Sequence, residues 1–239
     1  MSDPFGRAVL DHHRGERDDP LIQRDGEQAR EHPIEGFYFT EFTGESDADR
    51  WLESRLDGPL LDLGAGAGRH ALYFQEQFET VPIEVSDHLV RTMRERGVED
   101  AREGDMFALR EQFDRDRFRS ALAIGTQLGL AGSIAGLRRF LGDLAHVTTP
   151  DATAVTDCYD PERIVPEEML GYREDPTPGL ASRVMTFEYD DDVGETLLFR
   201  LFGPEKVREA TVGTGWEVTE VRYGSDENAP HYRVALEKI

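Results

Sequence analysis

The sequence predicts an α/β fold, a single doubly wound domain, and three observations support this prediction. Its 239 residues suffice for one full domain of this class. Short apolar runs typical of buried strands alternate with amphipathic runs typical of helices. Residues 59–77 combine an apolar run, three closely spaced glycines and a helix-compatible segment. In an open α/β sheet, ligands bind at the carboxyl ends of the strands, so we expect the binding site at these glycines.

The spacing of the glycines distinguishes two kinds of nucleotide site. A dinucleotide fingerprint reads G-x-G-x-x-G, whereas Gly64, Gly66 and Gly68 stand at every second position, and Arg69 occupies the place of the third dinucleotide glycine. Asp62, just before the first glycine, would repel a pyrophosphate but can accept hydrogen bonds from an ammonium group. A NAD-dependent oxidoreductase is therefore the less favoured alternative.

Asp62 and the three glycines resemble motif I of the class I S-adenosylmethionine (SAM) dependent methyltransferases, roughly D-x-G-x-G-x-G. The resemblance covers about residues 45–239. With Asp3-Pro4-Phe5-Gly6 and an aromatic cluster at 36–39, the chain is similar to a group of prokaryotic members. The resemblance implies a Rossmann-like fold with a seven-stranded, mostly parallel sheet whose last strand is antiparallel. It also implies SAM as cofactor and S-adenosylhomocysteine as product.

Acidic residues at strand ends supply further candidates for cofactor binding. Glu84 ends the second predicted strand, twenty positions after Gly64, where it can accept both ribose hydroxyls. The family places an acidic and an apolar residue after the third strand, predicted at 98–102, and Asp105 and Met106 stand there; a turn residue and a core residue are the alternatives. The predicted cofactor-binding residues are Tyr38, Asp62, Gly64, Ala65, Gly66, Arg69, Glu84, Val85, Asp105, Met106, Gly125 and Thr126.

The acceptor side is less defined. The fourth predicted strand, 118–124, leads to Gly125-Thr126, which we expect beside the methionine part of the cofactor. Tyr38 either pins the N-terminal arm to the core or closes over the cofactor. With Asp157 and Tyr159 it is a candidate for the acceptor side. Because a sulfonium methyl is already activated, the enzyme mainly positions the acceptor and excludes water, and no residue is assigned as catalytic.

We expect one methyltransferase domain over residues 1–239, in three parts. Residues 1–45 form an N-terminal helical arm, with an irregular stretch at 14–32. Residues 46–160 form the SAM-binding half, including helices capped by Ser46, Ser86 and Ser133. Residues 161–239 hold a lid, an added β-hairpin formed by 183–189 and 195–202, a helix and the last strands.

Composition narrows the class of partner. The net charge is −22 and the only lysines are Lys206 and Lys238, which indicates an acidic, hydrated surface as in proteins of high-salt cytoplasm. Such a surface argues against unaided nucleic-acid binding. The chain shows no signal sequence and no apolar run of ~18 residues, so we expect a cytoplasmic protein without a membrane partner.

The remaining candidate groups favour structural roles. The lone Cys158 cannot form an intrachain disulfide and fits a strand end or the core. The acidic triplet at 190–192 favours a turn over a calcium site, and we expect no metal. The sequence thus predicts methyl transfer to a small-molecule oxygen or nitrogen. The alternative of another class is an inactive SAM-binding protein that acts through interactions.

Overall fold

The computed structural model describes residues 2–224 and 229–239. The helices are α1 (Pro4–Arg14), α2 (Asp47–Glu53), α3 (Arg69–Phe74), α4 (Asp87–Glu95), α5 (Leu109–Gln112), α6 (Ile134–Val147) and α7 (Pro204–Thr211). The strands are β1 (Ile22–Asp25), β2 (Gln28–Glu31), β3 (Leu60–Leu63), β4 (Thr80–Glu84), β5 (Arg102–Glu103), β6 (Phe118–Ala123), β7 (Thr148–Tyr159), β8 (Tyr172–Glu174), β9 (Leu180–Tyr189), β10 (Asp192–Val193), β11 (Leu197–Phe202), β12 (Trp216–Tyr223) and β13 (His231–Lys238). A π-helical turn spans Glu35–Phe39.

A seven-stranded mixed sheet has the order β12-β13-β7-β6-β3-β4-β5. Strands β3 to β7 pair in parallel, and β13 runs antiparallel to both β7 and β12. Helices α5, α6 and α7 pack in one apolar core, while α2, α3 and α4 contribute to two others. Because these crossover connections cover the sheet, all residues of β3 and β4 are buried. The predicted mixed α/β fold with seven strands in its sheet is confirmed.

Local signals placed the helix starts correctly. Ser46, Ser86 and Ser133 each accept a hydrogen bond from a backbone N–H three residues later, as helix N-caps do. The third strand was predicted too early, because it comprises only Arg102–Glu103. Val98 packs instead against helix residues such as Met93, so its apolar character reflects a buried turn.

A second, antiparallel sheet is organised around β9, which pairs with β1, β8, β10 and β11, while β1 also pairs with β2. The predicted hairpin corresponds to β9 and β11. The prediction that residues 14–32 are irregular was wrong, since they form β1 and β2, and the predicted lid contributes β8. All residues of β2 are exposed, so the segment lacks the apolar alternation that identifies a strand.

The second sheet, helix α1 and the π-turn form what we call the cap. A buried cluster joins Val9 of α1, Phe187 of β9, Leu89 of α4 and Ala67, which follows the second motif glycine. The cap therefore packs against the end of the large sheet where β3 and β4 finish.

Three further features concern the lone cysteine, the acidic triplet and the helices. Cys158 is fully buried, and burial raises the pKa of its thiol to about 12. Asp190 and Asp192 both pair with Arg7, at 3.2 and 2.8 Å. Within 2–224 and 229–239, no helix is long and apolar enough to cross a membrane.

Candidate functional site

The motif turn, residues 64–68, joins β3 to α3. Gly64, Gly66 and Gly68 have φ values of +64°, +60° and +78°, in the left-handed region that other residues rarely adopt. A Cβ on Gly68 would also lie 2.8 Å from the Val98 side chain. The glycine spacing therefore reflects a backbone requirement.

Two buried carboxylates lie behind this turn. Glu84 accepts hydrogen bonds from the N–H groups of Gly66 and Val85, at 2.8 and 3.2 Å. Asp62 is 2% exposed, and its Oδ2 has no hydrogen-bond partner among the residues that the structure describes. Burial, followed by the charge of Glu84, raises the pKa of Asp62 to about 7, and burial also raises the pKa of Glu84 to about 7. A cationic donor placed at Asp62 would thus stabilise its ionised form.

Asp105 and Met106, which are predicted to contact adenine, follow β5, at the same carboxyl ends of the strands as the motif turn. Glu84 pairs with Glu103 of β5, two residues before Asp105. The carboxylate of Asp105 accepts from the Phe107 N–H at 2.8 Å, while Met106 is buried in the main core. These contacts are the turn and core roles considered as alternatives. Contact of either residue with adenine stays a prediction, as does that of the exposed Val85.

The loop after β6, residues 125–127, is fixed by Asp157. The buried Asp157 carboxylate accepts hydrogen bonds from the N–H groups of Gly125 and Thr126, at 3.1 and 2.5 Å. The Gln127 side chain lies against the motif turn, because a Cβ on Gly64 would come within 2.5 Å of its Cδ. Gln127 was not predicted as a site residue, although its position directly after Thr126 could have indicated it.

His231 is a second residue that sequence reasoning missed. It begins β13, and because that strand is antiparallel, its first residue lies where β7 ends, opposite Tyr159. Its Nε2 is 2.9 Å from Asp157 Oδ2, and its ring centroid is 5.4 Å from that of Tyr159. The side chain is 38% exposed. The signal lay in the predicted antiparallel last strand, which the sequence pattern places at 232–237, one residue after His231.

Tyr38 covers the motif turn from the cap side. A Cβ on Gly66 would lie 3.3 Å from the Tyr38 ring, and the Tyr38 hydroxyl is 2.9 Å from His32 Nε2. Burial, followed by the nearby charge of Glu84, raises the pKa of this hydroxyl. Arg96 donates to the backbone carbonyls of both Tyr38 and Ala67, so it ties the cap to the turn.

Two remaining predicted residues flank the turn differently. Arg69 begins α3, and its Nε is buried without a hydrogen-bond partner among the described residues. Ala65 packs against the cluster formed by α3 and α4. Across the same residues, no group of three or more His, Cys, Asp or Glu side chains could hold a metal ion.

Several solved structures with this architecture are methyltransferases. A SAM-dependent methyltransferase from Bacteroides fragilis, in complex with S-adenosyl-L-homocysteine, matches with a TM-score of 0.77 and 23% identity, over 99% of this chain and 94% of its own. The fold is that of SAM-dependent methyltransferases. CcbJ from Streptomyces caelestis matches with a TM-score of 0.62 and 16% identity, over 80% of this chain and 88% of its own.

CalS10, an amino pentose methyltransferase from Micromonospora echinaspora, matches with a TM-score of 0.57 and 19% identity, again over 80% of this chain and 88% of its own. No protein-family model matches the sequence. A search of curated proteins finds no significant match either.

Proposed function

We propose that the protein is a SAM-dependent methyltransferase that modifies an oxygen or nitrogen of a small molecule. The observation that carries the proposal is the Oδ2 of buried Asp62, which has no hydrogen-bond partner within 2–224 and 229–239 and lies behind the left-handed motif turn. Such an oxygen suits an ammonium group. SAM carries one in its methionine part, whereas a nicotinamide dinucleotide would place its pyrophosphate near this turn. Glu84, at the end of the next strand, is suited to the ribose hydroxyls.

Different residues around the turn would bind different parts of the cofactor. Asp62 would hold its ammonium group, Glu84 its ribose, and Val85, Asp105 and Met106 its adenine. The remaining predicted positions, Gly64, Ala65, Gly66, Arg69, Gly125 and Thr126, would line the methionine part, with Tyr38 above it. SAM would supply an activated methyl group, so the protein's task is to orient the acceptor and exclude water.

On the acceptor side, the contacts favour His231 and Tyr159 over Asp157. The carboxylate of Asp157 already accepts from two backbone N–H groups and contacts His231. We propose that Asp157 orients the imidazole and that half-exposed His231 receives the acceptor's proton. CalS10, whose fold is similar, is an amino pentose methyltransferase, which supports a small polar acceptor.

Calorimetric titration with SAM, S-adenosylhomocysteine and NAD tests the cofactor. We expect SAM and S-adenosylhomocysteine to bind and NAD not to bind. Binding of NAD with no binding of SAM would contradict the proposal. Incubation of cell extract with isotopically labelled SAM then tests turnover. A labelled product identifies the acceptor, whereas SAM binding without product in extract or a metabolite panel favours the inactive interaction protein.

The composition supports a proposal about the setting. With a net charge of −22, the protein is suited to a salt-rich cytoplasm, where ions screen the repulsion between surface carboxylates. The same charge disfavours nucleic acid as the methyl acceptor.

A further inference from the structure

A chain of buried hydrogen bonds lies behind Tyr38 and connects it to the centre of the cap. Arg183 Nη2 is 2.8 Å from Gln23 Oε1, Gln23 Nε2 is 2.9 Å from His32 Nδ1, and His32 Nε2 is 2.9 Å from the Tyr38 hydroxyl. Gln23 and His32 are only 6% and 8% exposed. This series of hydrogen bonds begins at Arg183 on β9, passes through Gln23 on β1, and ends at Tyr38 over the motif turn.

The chemistry of Arg183 determines the direction of every hydrogen bond in this chain. A guanidinium can only donate, so Gln23 must present its oxygen to Arg183 and its NH2 group to His32. The Nδ1 of His32 must then accept, and the single ring hydrogen belongs on Nε2. That N–H donates to the Tyr38 oxygen, so the hydrogen of the Tyr38 hydroxyl is left for another acceptor.

The surroundings keep His32 in this neutral form. Burial, followed by the charge of Arg183, lowers the pKa of His32 to about 4. A second ring hydrogen would also point at the NH2 group of Gln23. The charged and titratable groups around these hydrogen bonds include Arg183 on β9, Tyr38 on the π-turn and Glu84 at the end of β4. Tyr159 and Arg30 act on Arg183 itself.

We propose that this relay directs the Tyr38 hydroxyl hydrogen at an oxygen of the bound cofactor. The inference rests on the proposed function. Tyr38 would bind the cofactor directly, while Gln23, His32 and Arg183 act as positioning residues. Among the described residues, the Tyr38 hydroxyl has only the His32 contact, and its ring lies over Gly66. The ribose and the amino-acid carboxylate are the cofactor oxygens expected at this turn.

Titration of Tyr38→Phe with S-adenosylhomocysteine tests the ligand contact, with Tyr189→Phe as matched control. Tyr189 is another cap tyrosine, whose hydroxyl contacts Asp11 instead of the site. We expect about tenfold weaker binding for Tyr38→Phe, as for loss of one hydrogen bond, and wild-type affinity for Tyr189→Phe. Unchanged affinity of folded Tyr38→Phe would overturn the inference.

A second nucleoside identifies the oxygen. 5′-Deoxy-5′-methylthioadenosine lacks the amino-acid carboxylate. If Tyr38→Phe weakens binding of both nucleosides, the ribose is the acceptor, whereas weakening for S-adenosylhomocysteine alone identifies the carboxylate. Failure of the wild type to bind either nucleoside would overturn the proposed function and the cofactor contact together.

The relay itself has a spectroscopic signature that does not depend on any ligand. Nitrogen-15 NMR should show His32 with an unprotonated Nδ1 and a protonated Nε2 at neutral pH. The opposite tautomer would overturn the relay.

Gln23→Glu then tests whether the relay acts on binding. A carboxylate can only accept, so neutral His32 must turn its hydrogen to Nδ1, and Tyr38 must donate to Nε2. Binding of S-adenosylhomocysteine should be close to wild type at low pH, where His32 carries both hydrogens, and about tenfold weaker once it is neutral. Wild-type affinity throughout, with hydrogen observed on Nδ1, would contradict the role of the relay.

Discussion

The motif turn and the cap enclose the same site but are held in different ways. Around the turn, contacts join segments close in sequence, such as Gly66 and Glu84, 18 positions apart. In the cap, Arg24 pairs with Glu188, 164 positions apart, and Gln23 pairs with Arg183. One side of the site is thus built from consecutive strand–helix units, whereas the other requires the two distant parts of the chain to meet.

Polar contacts join the two regions, and those between α1 of the cap and α4 include Asp3 with Ser86 and Arg14 with Glu95. Arg96, just after α4, donates to the carbonyls of Ala67 in the turn and Tyr38 in the cap, and its guanidinium lies 4.8 Å from the centre of the Phe39 ring. If the turn binds the cofactor and the cap encloses it, substitutions on the turn side should weaken cofactor binding directly. Changes at the junction should act by releasing the cap.

The largest effect is expected on the turn side, from Glu84→Ala. This variant loses the proposed ribose contacts and leaves the Gly66 N–H without its buried partner, so cofactor affinity should fall by about 2–4 kcal/mol. Titration of S-adenosylhomocysteine measures the loss. Glu84→Gln, which keeps an acceptor oxygen, should lose less. An unchanged dissociation constant in folded Glu84→Ala would show that Glu84 has no ligand role.

Arg96→Ala should give the next largest effect, by releasing the junction. Two hydrogen bonds from a charged donor are lost, which predicts a fall of about 1.5–3 kcal/mol in unfolding free energy and weaker cofactor binding. Hydrogen exchange should show faster exchange in β1 and β9 than in β3 and β4. Arg91→Ala is the matched control, because Arg91 lies on α4, close to Arg96 in sequence, and makes an exposed ion pair with Asp87. Equal exchange in both sheets would contradict a separable cap.

The same contrast explains what the sequence could predict. The glycines at 64, 66 and 68, the Glu84 strand end and the serine caps are local signals, and the structure has them where they were expected. Strands β1 and β2 were missed because their partner is β9, and β2 has no buried face. Gln127 and His231 were missed because their importance arises from contacts with residues distant in sequence, Gly64 and Asp157. The roles of the predicted cofactor residues stay predictions.

A smaller effect, of at most about tenfold, is expected from pH on cofactor affinity. Asp62 and Glu84 have folded pKa values of about 7, above the ~4 of an unfolded chain. The ligand-free fold therefore binds more protons than the unfolded chain in that window, and its stability falls as pH rises from ~4 to ~7. An ammonium group favours ionised Asp62, so binding should release a proton near pH 6.5 and tighten toward pH 8.

Calorimetry of S-adenosylhomocysteine in buffers with different ionisation heats measures that proton release. Asp62→Asn should reduce it and flatten the pH dependence of affinity. Binding without proton release in the wild type at pH 6.5 would mean that Asp62 does not ionise toward the ligand.

Salt is expected to have the smallest effect on the site, since it screens the surfaces of both regions. The melting temperature should rise from dilute buffer to ~1 M KCl, because the Debye length shrinks from ~30 Å at 0.01 M to ~3 Å at 1 M. Most of the gain should come below ~0.5 M, where screening changes fastest. Circular dichroism measures the transition, and a melting temperature independent of salt would contradict the high-salt proposal.

The pairing of β1 with β9 also has a consequence for biosynthesis. As the chain leaves the ribosome, residues 22–25 emerge long before their partner strand at 180–189. The consecutive strands β3, β4, β5 and β6 can pair during this interval, whereas the N-terminal segment cannot yet join its sheet. At this stage the nascent protein would have its motif turn formed, while the cap that covers the turn would still be incomplete. Completion of the binding site is consequently a late event, which a truncated chain ending before β9 cannot reach.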